Sequence, residues 1–133
     1  MNDPMVTLLI ADDEEDVRQT ILELIPWARN GVKLCPAASD GLEALDHVEI
    51  YNPDIILIDV SMPKKSGLDV IKALAGRRIR AIMLSGYNEA AQAQEAIQYG
   101  AQDCLLKPCK PEDILAAVLK QRDLAMSVKE VCV

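Results

Sequence analysis

The chain has 133 residues, which suits one domain with a sizeable buried core. Its formal net charge of −7 argues against nucleic-acid binding by this segment, because phosphate contacts need clustered Lys and Arg. No apolar run approaches the ~18 residues of a membrane span, there is no signal-peptide pattern, and the four cysteines form no CxxC pair, so we expect a cytoplasmic protein with reduced thiols and no membrane contact.

Five short apolar segments predict five β-strands, each followed by a helical pattern. The predicted strands are Met5–Ala11, Val32–Ala38, Ile55–Ile58, Ile79–Leu84 and Gln102–Leu106. The third is an unbroken aliphatic run that ends in Asp59, which predicts a strand buried on both faces, as in parallel sheets covered by helices. Pro36 interrupts the second, which therefore suits a sheet edge.

Apolar spacing and end signals predict the five helices. The inner face of the first is predicted to hold Val17, Ile21, Leu24 and Ile25. The predicted N-caps of the next three are Asp40, Ser66 and Asn88. The fifth begins at Pro111, a residue favoured at the first helical position, and its apolar positions continue to Met126.

This alternation predicts an α/β fold, a doubly wound sheet of five parallel strands with the flavodoxin-like order 2-1-3-4-5. Residues 1–126 form the predicted domain. Residues 127–133 are interpreted as a C-terminal tail or the start of a linker, because they show no apolar pattern of their own.

Functional groups follow four of the predicted strands. They are Asp12 and Asp13 after the first, Asp59 after the third, Ser85 after the fourth and Lys107 after the fifth. In this fold the strand ends converge where ligands bind. Clustered carboxylates favour a hard cation such as Mg²⁺, and a carboxylate is also a possible nucleophile toward phosphorus. A lysine opposite the metal neutralises a transferring phosphoryl group, and the Ser85 hydroxyl is a possible donor to it.

Each feature also has an ordinary explanation. Acids before a helix favour the helix dipole, a Ser before Gly is usual in a turn, and a Lys before Pro is usually solvated. The joint placement at four strand ends is what indicates a site.

These residues, together with Met62-Pro63, Gly67, Gly86 and Pro108 and in this order from about Val6 to Lys120, resemble the receiver domain of bacterial response regulators, the CheY-like superfamily. The resemblance implies that Asp59 accepts phosphate from a sensor histidine kinase. It also implies that Asp13, Asp59 and the main-chain carbonyl of Ser61 bind Mg²⁺, with Asp12 acting through water. Ser85 would move toward the phosphoryl group, Lys107 would pair with it, and the Lys107-Pro108 peptide is often cis.

The segments around Ser85 and Lys107 resemble receivers joined to AraC-type DNA-binding domains. This implies an output domain beyond residue 133, regulation of transcription, and a possible homodimer through the face made by the fourth helix, fifth strand and fifth helix. One departure concerns the switch. Cys104 stands where the family usually has an aromatic ring, and Ala90 and Gln92 stand where this subgroup usually has aromatics. Tyr87 is therefore an alternative switch residue beside Ser85.

Two other functions stay open at this point. A phosphatase of the haloacid dehalogenase class also uses a strand-end Asp with Mg²⁺, but it needs a second acid where this chain has Ser61. A pseudo-receiver would be a binding module that is never phosphorylated. We expect a signalling switch, not an enzyme, which catalyses only its own phosphorylation and dephosphorylation.

Overall fold

The computed structural model describes residues 5–131, with side chains described for residues 5–126. The strands are β1 (Val6–Ala11), β2 (Val32–Leu34), β3 (Ile55–Asp59), β4 (Arg80–Ser85) and β5 (Asp103–Leu106). The helices are α1 (Glu15–Leu24), α2 (Gly41–Tyr51), α3 (Gly67–Leu74), α4 (Ala90–Gln98) and α5 (Pro111–Val131), with a short 3-10 helix at Ala28–Asn30. Among these residues no helix is long and apolar enough to cross a membrane.

The five strands form one parallel sheet in the order β2-β1-β3-β4-β5. This confirms the predicted fold class and strand order. The long aliphatic run lies at the centre, where every residue of β3 is buried. Parallel pairing puts the carboxyl ends of all the strands at the same edge of the sheet.

Alternate residues of the central strands enter two separate hydrophobic cores, as the period of two in a strand requires. Ile55 and Leu57 pack with Ile21 of α1 and with Val118 of α5. On the opposite face the alternating residues pack against α2, α3 and α4; the core there includes Ile56, Ile58, Val48, Val70 and Ala96. Helices therefore cover both faces, which explains why β3 is apolar without alternation.

One residue assigned to the inner face of the first helix lies outside. The side chain of Leu24 is 67% exposed, whereas Ile25 is buried. The helix ends at Leu24 and Ile25 adopts an extended conformation, so Ile25 turns into the core without following helical spacing. Trp27 is also buried there, and its indole N–H donates to the carbonyl of Ile21 at 2.9 Å.

The second strand is shorter than predicted, because it ends at Leu34. Proline has no N–H to donate, and Pro36 therefore breaks the ladder with β1. Pairing resumes as a single bridge between Ala38 and Ala11, where the N–H of Asp12 donates to the Ala38 carbonyl at 3.1 Å. This bridge lies directly beside the end of β1.

The helix starts were partly predicted. Asp40 and Ser66 cap α2 and α3, since their side chains accept hydrogen bonds from the N–H groups of Glu43 and Asp69. The prediction for Asn88 was wrong, because α4 begins at Ala90 with Glu89 at the N-cap position. Helix α5 continues as far as Val131, past the predicted boundary at residue 126, and the division of the chain into domain and tail stays a prediction.

Candidate functional site

The strand register gathers the predicted site residues at the carboxyl edge of the sheet. Ala11 pairs with Ile58, which puts Asp12 next to Asp59. Asp59 pairs with Leu84, the residue before Ser85, and Ser85 pairs with Leu106, the residue before Lys107. Groups that are far apart in the sequence are thus brought to neighbouring strand ends.

Four acidic residues form a cluster at this edge: Asp12, Asp13, Glu14 and Asp59 each offer a carboxylate oxygen, and these oxygens all lie within 4.8 Å of one another. Asp12 and Asp59 are buried, whereas Asp13 and Glu14 are exposed. Asp12 Oδ1 accepts the backbone N–H of Glu14 at 2.9 Å. Glu14 was assigned no role in the site from the sequence, since an acid near a helix start is common.

Two buried oxygens of this cluster accept no hydrogen bond from the residues that the structure describes. They are Oδ2 of Asp12 and Oδ1 of Asp59. A buried, unpaired carboxylate oxygen is costly, and several hard oxygen donors close together are what Mg²⁺ prefers. The residues present therefore fit a divalent cation.

Lys107 forms an ion pair with Asp59. Its Nζ lies 3.0 Å from Oδ2 of Asp59, and the Asp59 side chain is only 3% exposed. The backbone N–H of Lys107 donates to the Ser85 carbonyl at 2.8 Å, and the Lys107-Pro108 peptide is cis. The two oxygens of Asp59 thus differ, since one is paired with a lysine and the other accepts no hydrogen bond from the described residues.

The electrostatics of this pair are dominated by burial. Burial raises the pKa of Asp59 to about 6. The hydrogen bond from Lys107 opposes this rise, and the negative charge of Asp12 adds to it. Burial also raises the pKa of Asp12. Burial by itself lowers the pKa of Lys107, but the Asp59 carboxylate outweighs this and keeps the ammonium pKa above its usual value. Additional positive charge at the acidic cluster would stabilise both carboxylates.

The loop after β3 folds back tightly because residue 67 is glycine. A Cβ at Gly67 would lie 2.0 Å from the carbonyl oxygen of Asp59. The N–H of Gly67 donates to the Val60 carbonyl at 2.7 Å, and Lys64 adopts a left-handed conformation with φ 68°. Close backbone approach thus places Ser61 at the rim of the site.

The predicted switch residues are not gathered in the same way. Ser85 is buried at the end of β4, and Tyr87 is 91% exposed. The thiol of Cys104 is half-buried and lies 3.6 Å from the carbonyl of Ala93 in α4. Cys104 therefore fills part of the space between β5 and α4.

The sequence reasoning missed Glu89. Its Oε1 accepts the backbone N–H of Gly86 and its Oε2 accepts the hydroxyl of Ser61, both at 2.5 Å. The contact with Gly86 is local, since the two residues are three positions apart. The contact with Ser61 had no local signal, since the two residues are 28 positions apart.

Comparison with known proteins places the chain in a family. It belongs to the response regulator receiver domain family, whose pattern matches residues 8–119. It is a receiver domain of the kind found in two-component response regulators, where it acts as a signalling switch. Membership of this family favours the receiver prediction over the phosphatase alternative.

Two curated relatives are transcriptional regulators. The uncharacterized transcriptional regulatory protein YesN of Bacillus subtilis is 34% identical over 128 residues, which are 90% of this chain and 35% of YesN. HptR of Staphylococcus aureus is 33% identical over 104 residues, which are 78% of this chain and 41% of HptR. The chain thus spans less than half the length of each.

Solved structures agree with the fold. The receiver domain of AraT, a response regulator from Geobacillus stearothermophilus, is 34% identical with a TM-score of 0.75, covering 96% of this chain and 95% of that one. The two-component regulator AraC from Clostridium phytofermentans is 25% identical with a TM-score of 0.83, covering 92% and 96%. A receiver domain of a LuxO repressor from Vibrio parahaemolyticus, at 21% identity and a TM-score of 0.85, covers 96% and 97% and shares the fold.

Proposed function

We propose that Asp59 is the phosphoacceptor of this receiver domain and takes its phosphoryl group from a phosphohistidine of a sensor histidine kinase. The observation that carries the proposal is the asymmetry of Asp59. One oxygen pairs with Lys107 at 3.0 Å, and the other is buried and accepts no hydrogen bond from the described residues, while Asp59 belongs to the acidic cluster. A phosphoryl group at this position would lie between a cation site and an ammonium group.

The proposed step exchanges one bond to phosphorus for another. An oxygen of the Asp59 carboxylate forms a bond to phosphorus while the bond from phosphorus to the histidine nitrogen breaks, and its electron pair stays with the imidazole. A carboxylate nucleophile needs no general base, because it has no proton to lose at neutral pH. Lys107 offsets negative charge on the phosphoryl oxygens.

Asp13, Asp59 and the main-chain carbonyl of Ser61 are the proposed ligands of Mg²⁺, with Asp12 acting through water. When bound, the ion supplies positive charge to the phosphoryl oxygens. Glu14 lies in the same cluster and adds to its negative charge. Within the domain these residues support only its own phosphorylation and dephosphorylation, so it acts as a switch and does not turn over a separate substrate.

The switch is proposed to run from Ser85 through the loop at Tyr87 to the face formed by α4, β5 and α5. Phosphorylation adds about −1.5 to −2 charges, which would draw Ser85 and Lys107 toward Asp59. Cys104 has no aromatic ring, so its side chain cannot make the rotation that an aromatic residue would make at this position. The exposed Tyr87 is free to rearrange in its place.

The relatives support a proposal about the partners. YesN and HptR are named as transcriptional regulatory proteins, and one structural relative is described as an AraC regulator. We infer a cytoplasmic regulator with an AraC-type output domain beyond residue 133 and a homodimer through the α4-β5-α5 face. This segment itself would make no contact with nucleic acid.

One experiment separates the three candidate functions. The protein is incubated with Mg²⁺ and acetyl phosphate and followed by intact mass. A receiver acquires one phosphoryl group, and the Asp59→Asn variant acquires none. A phosphatase would release phosphate continuously without a stable adduct, and a pseudo-receiver would show neither behaviour.

A further inference from the structure

A single carboxylate joins the two loops that flank Asp59. The loop after β3 contains Ser61, and the loop after β4 contains Gly86. Glu89 accepts the Ser61 hydroxyl with one oxygen and the Gly86 N–H with the other, both at 2.5 Å. We call this pair of contacts the Glu89 bridge. It uses both oxygens of one half-buried side chain to tie the loops together.

Both donors of the Glu89 bridge lie beside the acceptor. Ser61 is two residues after Asp59, and Gly86 directly follows Ser85. The strand ends are held together there, because the N–H of Val60 donates to the carbonyl of Leu84 at 3.0 Å. The bridge therefore closes the edge of the site between β3 and β4.

The negative charge of Glu89 acts on Asp59. Burial is the largest cause of the raised pKa of Asp59, and the negative charge of Glu89 adds to it. The hydrogen bond from Ser61 is the main reason that the pKa of Glu89 itself lies below its usual value. At neutral pH the bridge is therefore anionic and opposes negative charge on Asp59.

We propose that Glu89 is a positioning residue that holds the acceptor site in its resting form: its carboxylate occupies the Gly86 N–H and the Ser61 hydroxyl, and a phosphoryl group on Asp59 displaces it. The inference rests on the proposed function of Asp59 and adds a restraint built into this chain. Nothing in the acceptor chemistry itself requires a carboxylate at residue 89.

Two effects would displace the Glu89 carboxylate: repulsion between like charges and competition for its hydrogen-bond donors. A phosphoryl group brings about −1.5 to −2 charges to a site whose rim already carries the Glu89 carboxylate, and like charges at short range repel. The phosphoryl oxygens are strong hydrogen-bond acceptors, and they would compete with Glu89 for the Gly86 N–H and the Ser61 hydroxyl. Release of residues 86–89 frees the start of α4, so the bridge couples the state of Asp59 to that helix.

The test compares rates of phosphorylation by acetyl phosphate in the presence of Mg²⁺. Glu89→Gln keeps a hydrogen-bond acceptor for the Gly86 N–H but removes the charge, and Glu89→Ala removes both. We expect both variants to be phosphorylated on the order of fivefold faster than the unsubstituted chain, as the loss of one like charge at short range implies. At about 1 M salt, where the Debye length is about 3 Å, the advantage of Glu89→Gln should shrink.

Glu95→Gln is the matched control. Glu95 lies in α4, the helix that Glu89 precedes, and its carboxylate pairs with Lys72 of α3 at 2.9 Å on the surface. The control removes the same charge without touching the Glu89 bridge, and we expect it to be phosphorylated at the rate of the unsubstituted chain. A rise in rate for Glu95→Gln equal to that for Glu89→Gln would show a general charge effect and would overturn the inference.

A second readout does not depend on phosphorylation. In NMR spectra without a phosphate donor, the Gly86 amide proton should shift upfield in Glu89→Ala, since it loses an ionic acceptor. Unchanged or slower phosphorylation of both Glu89 variants, while the unsubstituted chain is labelled normally, would refute the Glu89 inference and leave the proposed function intact. If the unsubstituted chain acquired no phosphoryl group, both the proposed function and the Glu89 inference would be overturned.

Discussion

The ammonium nitrogen of Lys107 lies 3.0 Å from Oδ2 of Asp59, across the end of the sheet. Lys107 is held there through its own backbone, because its N–H donates to the carbonyl of Ser85. The second oxygen of Asp59 is buried and accepts no hydrogen bond from the described residues. The proposed chemistry depends on this division of one carboxylate between a lysine and a cation site.

Replacing Asp59 should stabilise the metal-free protein. Burial raises the pKa of Asp59 to about 6, well above the usual value for an aspartate, so the folded protein holds this proton more tightly than the unfolded chain does. The stability that protonated Asp59 contributes to the folded protein is fully present below about pH 4, and it is lost as the pH rises through about 6. At pH 8 the ionised carboxylate costs at most about 3 kcal/mol, and Asp59→Asn also leaves Lys107 unpaired.

We therefore expect Asp59→Asn to raise the free energy of unfolding by about 1–2 kcal/mol at pH 8 without divalent cations. The gain should vanish near pH 4, where the native carboxyl is protonated. Urea denaturation at both pH values measures it. A variant less stable than the unsubstituted chain at pH 8 would contradict the assigned direction of the pKa shift.

Magnesium should stabilise the folded chain through the acidic cluster. At a concentration ten times the Kd, one site adds about 1.4 kcal/mol. Thermal unfolding should shift upward with Mg²⁺ in the unsubstituted chain and return after chelation. The shift should be lost in Asp13→Asn, which removes a proposed ligand.

Glu15→Gln is the control for this measurement. Glu15 is an exposed acid in the first turn of α1 and is not part of the acidic cluster. Its replacement removes the same charge and should leave the Mg²⁺ shift intact. Equal losses in the two variants would mean that Mg²⁺ responds to general negative charge and not to a defined site.

Gly67→Ala should damage both stability and phosphorylation. The new Cβ would lie 2.0 Å from the Asp59 carbonyl oxygen, and backbone cannot yield as a flexible side chain can. We expect a loss of about 1–3 kcal/mol and slower labelling of Asp59, measured by urea denaturation and intact mass. Ser66→Ala, which removes only the cap of α3, should cost about 1 kcal/mol and keep the labelling rate.

Tyr87→Ala tests the proposed switch. Because Tyr87 is 91% exposed, its removal should change the free energy of unfolding by less than about 0.5 kcal/mol. If Tyr87 takes part in switching, beryllofluoride should no longer shift the NMR signals of α4, β5 and α5 in the variant. A full response in Tyr87→Ala would exclude Tyr87 and leave Cys104 and Ser85 as the route to examine.

The fold was predictable from the sequence because its signals are local and repeated. The aliphatic run Ile55–Ile58 required burial on both faces, and the two cores of the structure provide it. The chemistry-bearing strand ends followed from topology alone, since parallel strands end at one edge. The pattern of apolar residues along the chain is enough for both inferences.

The misses at Leu24 and Asn88 both fall at a helix end. Leu24 has helical spacing, but the helix ends there and the next residue turns inward. Asn88 is a good cap by type, yet Glu89 takes the N-cap position, and its side chain is held by Gly86 and Ser61. Contacts between loops distant in sequence leave no periodic signal along the chain.

The identity of the phosphorylated residue tests the central proposal most directly. The chain is labelled with acetyl phosphate and Mg²⁺, reduced with borohydride, which converts an aspartyl phosphate to homoserine, and mapped by peptide mass spectrometry. We predict homoserine at residue 59 alone, dependent on Mg²⁺ and diminished in Lys107→Ala. Homoserine at residue 12 or 13, or none at residue 59 in a labelled protein, would contradict the assignment of Asp59 as the acceptor.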